Sequence, residues 1–442
     1  MLNSSPGRKL LLILLTYGKV LRIFYMTKLL QTRKSSLRFV VIQMGARMHY
    51  AVPALLERAG MLEQLYTDIC GNLGSTIALQ YLWPESIRPK AVKRLLGRKL
   101  PPEVPHSSVT TCAGTAILNT VLKRFNSTGK TILKPVETED KVRQQVLKDQ
   151  FLNANALYTL INSDIAVVRK AKECGLLVVH EQILNPNVGH IIREERSEYP
   201  GIEKQDSLEL IEEGIQRDRQ QWAMSDLILA PSSFVSKEIV KMGGSPERIA
   251  LVPYGIDEEW LVYQPNPQRG RVLFVGTVGL RKGNHYLAEA TRILQKRGVQ
   301  CQVRVVGPYD PEAIKKPEFQ GPIYVGQVPR TEVMKEFLSA DIFVLPTLSD
   351  SFALVHLEAL ACGLPVITTP NCGSVVRDGM EGFIVPIRDA QTLADRMEQL
   401  LIDTHMREKM SQKARERARE FTWKKYGERL INALKNLENK LN

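Results

Sequence analysis

Residues 341–369 read DIFVLPTLSDSFALVHLEALACGLPVITT, and their pattern decides the fold. DIFVLP is an apolar run of the buried-strand kind, SDSF is a polar turn, and LVHLEALAC has helical spacing. Gly363-Leu364-Pro365 then stops the helix before PVITT opens a second apolar run. The order strand, loop, helix, strand is the repeating unit of a parallel α/β sheet. In such a unit the loop and the helix N-terminus lie at the carboxyl edge of the sheet, where open α/β folds bind ligands. Asp350 falls in the loop and Glu358 about two helical turns beyond it, so both carboxylates are expected to face one crevice. Backbone N–H groups at a helix start attract phosphates, and carboxylates accept hydrogen bonds from sugar hydroxyls. An isolated pair of this spacing is more often a helix cap followed by a solvated acid, so the surrounding segments must decide.

Those segments are SDLILAPSSFVSKEIVKMG (225–243), ALVPYGID (250–257), RVLFVGTVGLRKG (271–283), SADIFVLPTLSDSFALVHLEALACGLPVI (339–367) and DGMEGFIVP (378–386). In this order they resemble the carboxyl-terminal, donor-binding half of the group 1 retaining glycosyltransferases, the glycogen-synthase-like family with the GT-B fold. The likeness extends from about Ser225 to Trp423. It implies an α/β protein of two Rossmann-like, doubly wound domains facing across a cleft. It also implies transfer of a hexosyl group from a nucleotide-sugar donor to a glycan, lipid-linked or small-molecule acceptor, with retention of anomeric configuration. The family's first acid meets the donor sugar and its second the ribose, roles that fall here to Asp350 and Glu358. Asp350 is one methylene shorter than the family's usual Glu, and Ala353 stands where a glycine usually follows the aromatic Phe352. Ser351, Phe352, Ala353, Leu354 and Val355 complete the expected donor-binding turn, with N–H groups from about Leu354 to His356 facing the leaving group.

After RVLFVG come Thr277-Val278-Gly279-Leu280-Arg281-Lys282-Gly283 and a helix with Leu287, Ala290 and Leu294 on one face. Cations near a helix start are unfavourable unless an anion neutralises them, and a diphosphate would do so. Arg can grip phosphate with two parallel hydrogen bonds, whereas Lys acts as a point charge. The competing interpretation is a solvated Arg-Lys pair in a loop. Many relatives carry an Arg directly after the strand's glycine, Gly276. Here that position is Thr277, so either Arg281 carries the guanidinium role alone or the chemistry is weakened. The expected catalytic set is Arg281, Lys282, Asp350 and His180.

The amino-terminal half alternates apolar runs with helical stretches: RFVVIQMG (38–45), LYTLIN (157–162), LLVVHEQ (176–182), DLILAP (226–231) and IALVPYG (249–255). Gly45-Ala46-Arg47 follows the first run, without the GxGxxG of a dinucleotide site. The family has a glycine loop at this point, which implies Gly45, and with it Arg47 and His49, as crevice residues; packing or capping is as good an account of His49. His180 stands directly after LLVV. An isolated histidine there is more often a core residue, but the family often places one at this strand end against the donor sugar and diphosphate. Residues 183–205, ILNPNVGHIIREERSEYPGIEKQ, read as a polar loop or lid in which acceptor selectivity resides.

A chain of 442 residues with 44% hydrophobic content exceeds one ordinary core, so two lobes are expected. The expected divisions are a basic and apolar segment 1–36, an acceptor-side domain 37–255, a linker 256–269 and a donor domain 270–420. A last helix, 421–442, crosses back to the first lobe. Gly255, in PYGID before the linker, is counted among the donor-binding residues. Six cysteines without a CxxC pair point to reduced thiols in the cytoplasm. No HExxH or Asp-x-Asp occurs, so neither a metal nor a cofactor is expected, the nucleotide-sugar being a co-substrate.

The net charge of +13 is concentrated early, with no acid before Glu57 and a second basic cluster from Arg88 to Lys99. No RNA or DNA motif accompanies these charges, so nucleic acid is not an expected partner. Residues 10–30, LLLILLTYGKVLRIFYMTKLL, carry Lys19, Arg22 and Lys28, each of which costs about 2.5–3.5 kcal/mol at a bilayer centre. A helix lying in the interface of an anionic membrane, on the cytoplasmic face, is expected instead of a span. The rival functional class is a non-catalytic, membrane-associated nucleotide-sugar-binding protein; a GT-B phosphorylase or an epimerase is a second rival.

Overall fold

The computed structural model describes residues 36–74, 76, 77, 88, 92, 93, 96–117, 138–160 and 165–440. The expectations for 1–35, and for Lys90 and Arg94 of the 88–99 cluster, lie outside the described residues.

Seven strands form the first sheet: β1 (Phe39–Ile42), β2 (Leu62–Thr67), β3 (Val109–Thr111), β4 (Ala156–Thr159), β5 (Leu177–Glu181), β6 (Leu227–Ala230) and β7 (Ile249–Leu251). Six form the second: β8 (Arg271–Val275), β9 (Gln302–Val306), β10 (Ile323–Gly326), β11 (Ile342–Leu345), β12 (Val366–Thr368) and β13 (Gly382–Ile384). The spatial orders are β3-β2-β1-β4-β5-β6-β7 and β10-β9-β8-β11-β12-β13. Every pairing is parallel. Parallel strands covered by helices on both faces must be apolar throughout, which is why FVVI, ALYT, LILA and IFVL are buried at every position. In each sheet the strand order reverses beside the first strand, at β1/β4 and β8/β11, and that switch point opens a crevice at the carboxyl ends.

The two lobes share apolar packing. One continuous cluster runs from Phe39 and Tyr158 through Tyr254, Ile256 and Trp260 to Phe343. The last helix, Trp423–Asn439, buries Tyr426, Leu430 and Leu434 and returns against the first-lobe helix Ala51–Arg58. Gly427 lets this helix approach, since a Cβ there would meet the Leu55 side chain at 2.5 Å. Arg429 donates to the Pro253 carbonyl at 2.9 Å, fastening the helix beside the crossover between lobes.

Residues 183–205 are not only loop: Val188–Glu198 is a helix, with Ile192 and Glu195 buried on one face. His180 lies at the carboxyl end of β5, directly after LLVV, with Glu181 closing the strand. Strand β2 and the edge strand β3 were not legible in LEQLYT and VTT, where polar residues interrupt the apolar pattern. Among the described residues, no helix is long and apolar enough to cross a membrane.

Candidate functional site

The turn after β8 and the turn after β11 meet. Lys282 Nζ is ion-paired to Asp350 Oδ2, both side chains being about 15% exposed. Arg281 donates from its guanidinium to the Ser349 carbonyl at 2.9 Å, and the Arg281 carbonyl in turn accepts from the Leu348 N–H at 2.9 Å and the Thr347 hydroxyl at 2.9 Å. This close approach requires Gly283, which has φ +70° and whose replacement would place a Cβ 1.9 Å from the Pro346 carbonyl oxygen. Gly276, at the end of β8, donates to the Val306 carbonyl at 2.9 Å, and Thr277 follows it at the edge of a cavity shared with Arg281 and Lys282.

The 350–353 turn is pinned on its far side by residues 371–373. Asp350 N–H donates to the Asn371 carbonyl at 3.0 Å, and Ala353 N–H to the Gly373 carbonyl at 2.9 Å. The first lobe adds two further ties. Ser232 caps the helix Ser233–Lys241 and donates its hydroxyl to the Ser351 carbonyl at 2.7 Å, while Tyr254 packs edge-on against Phe352 at 5.2 Å. The helix Leu354–Ala361 then carries Val355 inward and exposes Leu354. The N–H groups of Leu354 and His356 are spent on the Phe352 and Ala353 carbonyls at 3.1 and 2.9 Å, instead of standing open to a ligand as expected.

Glu358 lines a cavity of about 690 Å³ with Leu354, Gly255, Arg47 and Arg330. Burial pushes its carboxyl up to about 7, against the pull of Arg330. Gly255 is forced by its neighbour, since a Cβ would stand 2.5 Å from the Thr422 carbonyl oxygen. His180 opens on a separate cavity of about 230 Å³. Its ring lies between the Thr159 hydroxyl at 3.1 Å and the Gln182 amide oxygen at 3.2 Å, and burial lowers its pKa to about 4. The imidazole is therefore neutral near pH 7 and can orient a ligand but not supply charge. Ile183 lines both the His180 and Glu358 cavities, and Val188 with Gly189 lines both the His180 and Lys282 cavities, so the three adjoin in turn as a trough in which Lys282 and Glu358 line separate cavities with no residue in common. Gly45 turns at φ +71° and donates its N–H to Asp68 at 2.9 Å; Arg47 reaches the Tyr254 hydroxyl at 2.8 Å.

Two acids at the site were not read from the sequence. Glu181 accepts from the Tyr158 and Tyr254 hydroxyls at 2.6 and 2.7 Å, and its signal was an acid closing a buried strand. Glu195, fully buried, accepts from His285, Tyr286 and Arg388, each at 2.7 Å, and so ties the Val188–Glu198 helix to the second lobe. Its signal was hidden in the charge-rich run REERSE, which reads as solvated. Among the described residues, no group of three His, Cys, Asp or Glu side chains is placed to hold a metal ion.

Two parallel lobes facing across such a trough define the GT-B class. The solved structures bear this out: Anabaena Alr3699/HepE in complex with UDP and glucose superposes with a TM-score of 0.59 at 14% identity, over 90% of this chain and 100% of that one. Sucrose-phosphate synthase from Thermosynechococcus elongatus gives 0.60 at 17% identity, over 91% and 99%. Residues 259–417 match the family model of glycosyl transferases group 1. The D-inositol 3-phosphate glycosyltransferase of Paenarthrobacter aurescens is 26% identical over 316 residues, 66% of this chain and 74% of that protein. Sulfoquinovosyl transferase SQD2 of Arabidopsis thaliana is 24% identical over 220 residues, and there the match spans 45% of this chain and 42% of the relative.

Proposed function

We propose that the protein transfers a sugar from a nucleotide-sugar donor to a glycan, lipid-linked or small-molecule acceptor, with retention of anomeric configuration. The observation that carries this reading is the convergence of Arg281 and Lys282 on the Ser349–Asp350 turn. Breaking a sugar–phosphate bond builds negative charge on the leaving diphosphate, and cations fixed beside it lower the barrier. Lys282 and Arg281 meet that charge from side chains, with no metal invoked. Asp350 orients the sugar hydroxyls, neutral His180 assists from the first lobe, and Glu358 accepts from the ribose. Thr277, Ser351, Phe352, Ala353, Leu354, Val355, Gly276, Gly255 and Gly45 shape the donor's surroundings. In a retaining transfer the acceptor hydroxyl attacks the face from which the diphosphate departs, and the leaving phosphate oxygen takes the hydroxyl proton. Closure of the lobes would exclude water as a competing acceptor.

Support also comes from the HepE structures, which hold UDP with glucose and UDP-glucose in a molecule of the same fold. A thermal-shift panel of UDP-, GDP- and ADP-sugars followed by a turnover assay tests the reading. A ligand at 100 times its dissociation constant stabilises the fold by about 2.7 kcal/mol, a readily measured shift. Free nucleotide released only when an acceptor is present supports transfer. Binding without turnover supports a non-catalytic binding protein, and no shift with any donor defeats both. Peripheral association with an anionic cytoplasmic membrane surface through residues 1–36 is part of the same proposal.

A further inference from the structure

We propose that Arg196, on the first lobe, is a further donor-binding cation, and that Glu203 holds its place until a phosphate oxygen displaces the Glu203 carboxylate. This rests on the donor-site reading above and adds a residue to it. Arg196, Glu203, Thr277, Gly279, Arg281 and Lys282 line one cavity of about 260 Å³ between the lobes. One Glu203 oxygen accepts the Leu280 N–H at 2.8 Å, and the other accepts from Arg196 Nε at 3.1 Å. A carboxylate bridging a backbone N–H and a guanidinium occupies the arrangement that two phosphate oxygens would take. Gly279 lies directly beneath the bridge: a Cβ there would stand 2.7 Å from that same Glu203 oxygen and push the end of the flexible carboxylate side chain aside.

The geometry around Arg196 is fixed from behind. Its neighbour Glu195 is fully buried and bonded to His285, Tyr286 and Arg388 of the second lobe, so the helix that bears Arg196 is anchored beside the turn. Arg196 also reaches Asp206 at 2.6 Å, whose side chain is 63% exposed and can yield to solvent. Charge balance gives the reason for a third cation. Of the two cations on the turn, Lys282 is offset by Asp350, and a nucleoside diphosphate brings more than one negative charge. Thr277, in the same cavity, offers none in compensation. Exchanging the Glu203 carboxylate for phosphate leaves Arg196 and the Leu280 N–H satisfied throughout, while Glu203 moves from a half-buried position to water.

Isothermal titration with UDP, or with whichever of UDP, GDP and ADP gives the largest thermal shift, tests this on the full chain. Arg196→Gln should weaken binding about 10-fold or more, the worth of one charge-assisted hydrogen bond, with Arg196→Lys intermediate. Glu203→Gln should tighten it about threefold or more, and the double variant Arg196→Gln/Glu203→Gln should return to the Arg196→Gln value, because the gain runs through the freed guanidinium. Wild-type affinity in Arg196→Gln, or a loss in Glu203→Gln as large as in Arg196→Gln, would overturn the proposal; the latter would make the carboxylate only a tie between lobes. Absence of any nucleotide binding by the wild-type protein would instead remove the donor-site reading, and this role with it.

Discussion

Lys282 and Asp350 stand 68 positions apart in the chain and form an ion pair where the two loops of the second lobe meet. The pair offsets the cost of placing an ammonium before a helix, because the carboxylate occupies part of its field. Lys282→Ala should lower turnover about 100-fold or more, the cost of removing one preorganised donor from a developing charge, while far-ultraviolet circular dichroism stays unchanged. Steady-state kinetics with the donor chosen by thermal shift check this. Wild-type turnover in the variant would remove Lys282 from the mechanism.

Glu358 predicts a pH dependence. Its pKa is pushed up to about 7 by burial, and a ribose donating hydroxyl protons to it favours the ionised carboxylate. Nucleotide affinity should therefore rise between pH 6 and about 7 and flatten above that. Glu358→Gln should bind more weakly and lose the slope. Stability has the opposite sign: a carboxyl with a raised folded pKa is most compatible with the fold below its unfolded pKa, and its contribution is lost as pH rises through about 7. The thermal midpoint of Glu358→Gln should thus exceed that of the wild type more at pH 8 than at pH 5.

Glu195 predicts a structural loss. Burial raises its pKa, but hydrogen bonds from His285, Tyr286 and Arg388 outweigh this and hold it below the ordinary value. Its stabilisation is present above its unfolded pKa and lost as pH falls through the lowered folded value. Glu195→Ala strands buried partners and should cost about 3–5 kcal/mol, seen in urea titration near pH 7. An unchanged midpoint would contradict the network.

Gly283 predicts a steric one. Gly283→Ala forces a Cβ onto the Pro346 carbonyl at a left-handed φ, so the Arg281–Lys282 turn must move. Nucleotide binding should fall about as far as in Lys282→Ala, which titration of the two variants compares.

Much of the second lobe was legible because its strands are short, apolar and punctuated by Gly and Pro: RVLFV, IFVL and VIT lie where the pattern put them. The meeting of Arg281 with Ser349 and of Lys282 with Asp350 follows from sheet order, since adjacent strands β8 and β11 deliver both turns to one edge. Glu195 was not legible, because burial of a charge depends on three partners from distant segments. Nor was the spending of the Leu354 and His356 N–H groups on local carbonyls, which is set by the tightness of one turn.

The central claim is that the trough beside Arg281, Lys282, Asp350 and Glu358 holds a nucleoside diphosphate. A crystal structure of the protein soaked with the diphosphate that gives the largest thermal shift measures it directly. The account predicts phosphate oxygens within hydrogen-bond distance of Lys282 Nζ and the Arg281 guanidinium, with ribose hydroxyls on Glu358. A nucleotide bound elsewhere, with the Lys282–Asp350 turn untouched, would contradict it.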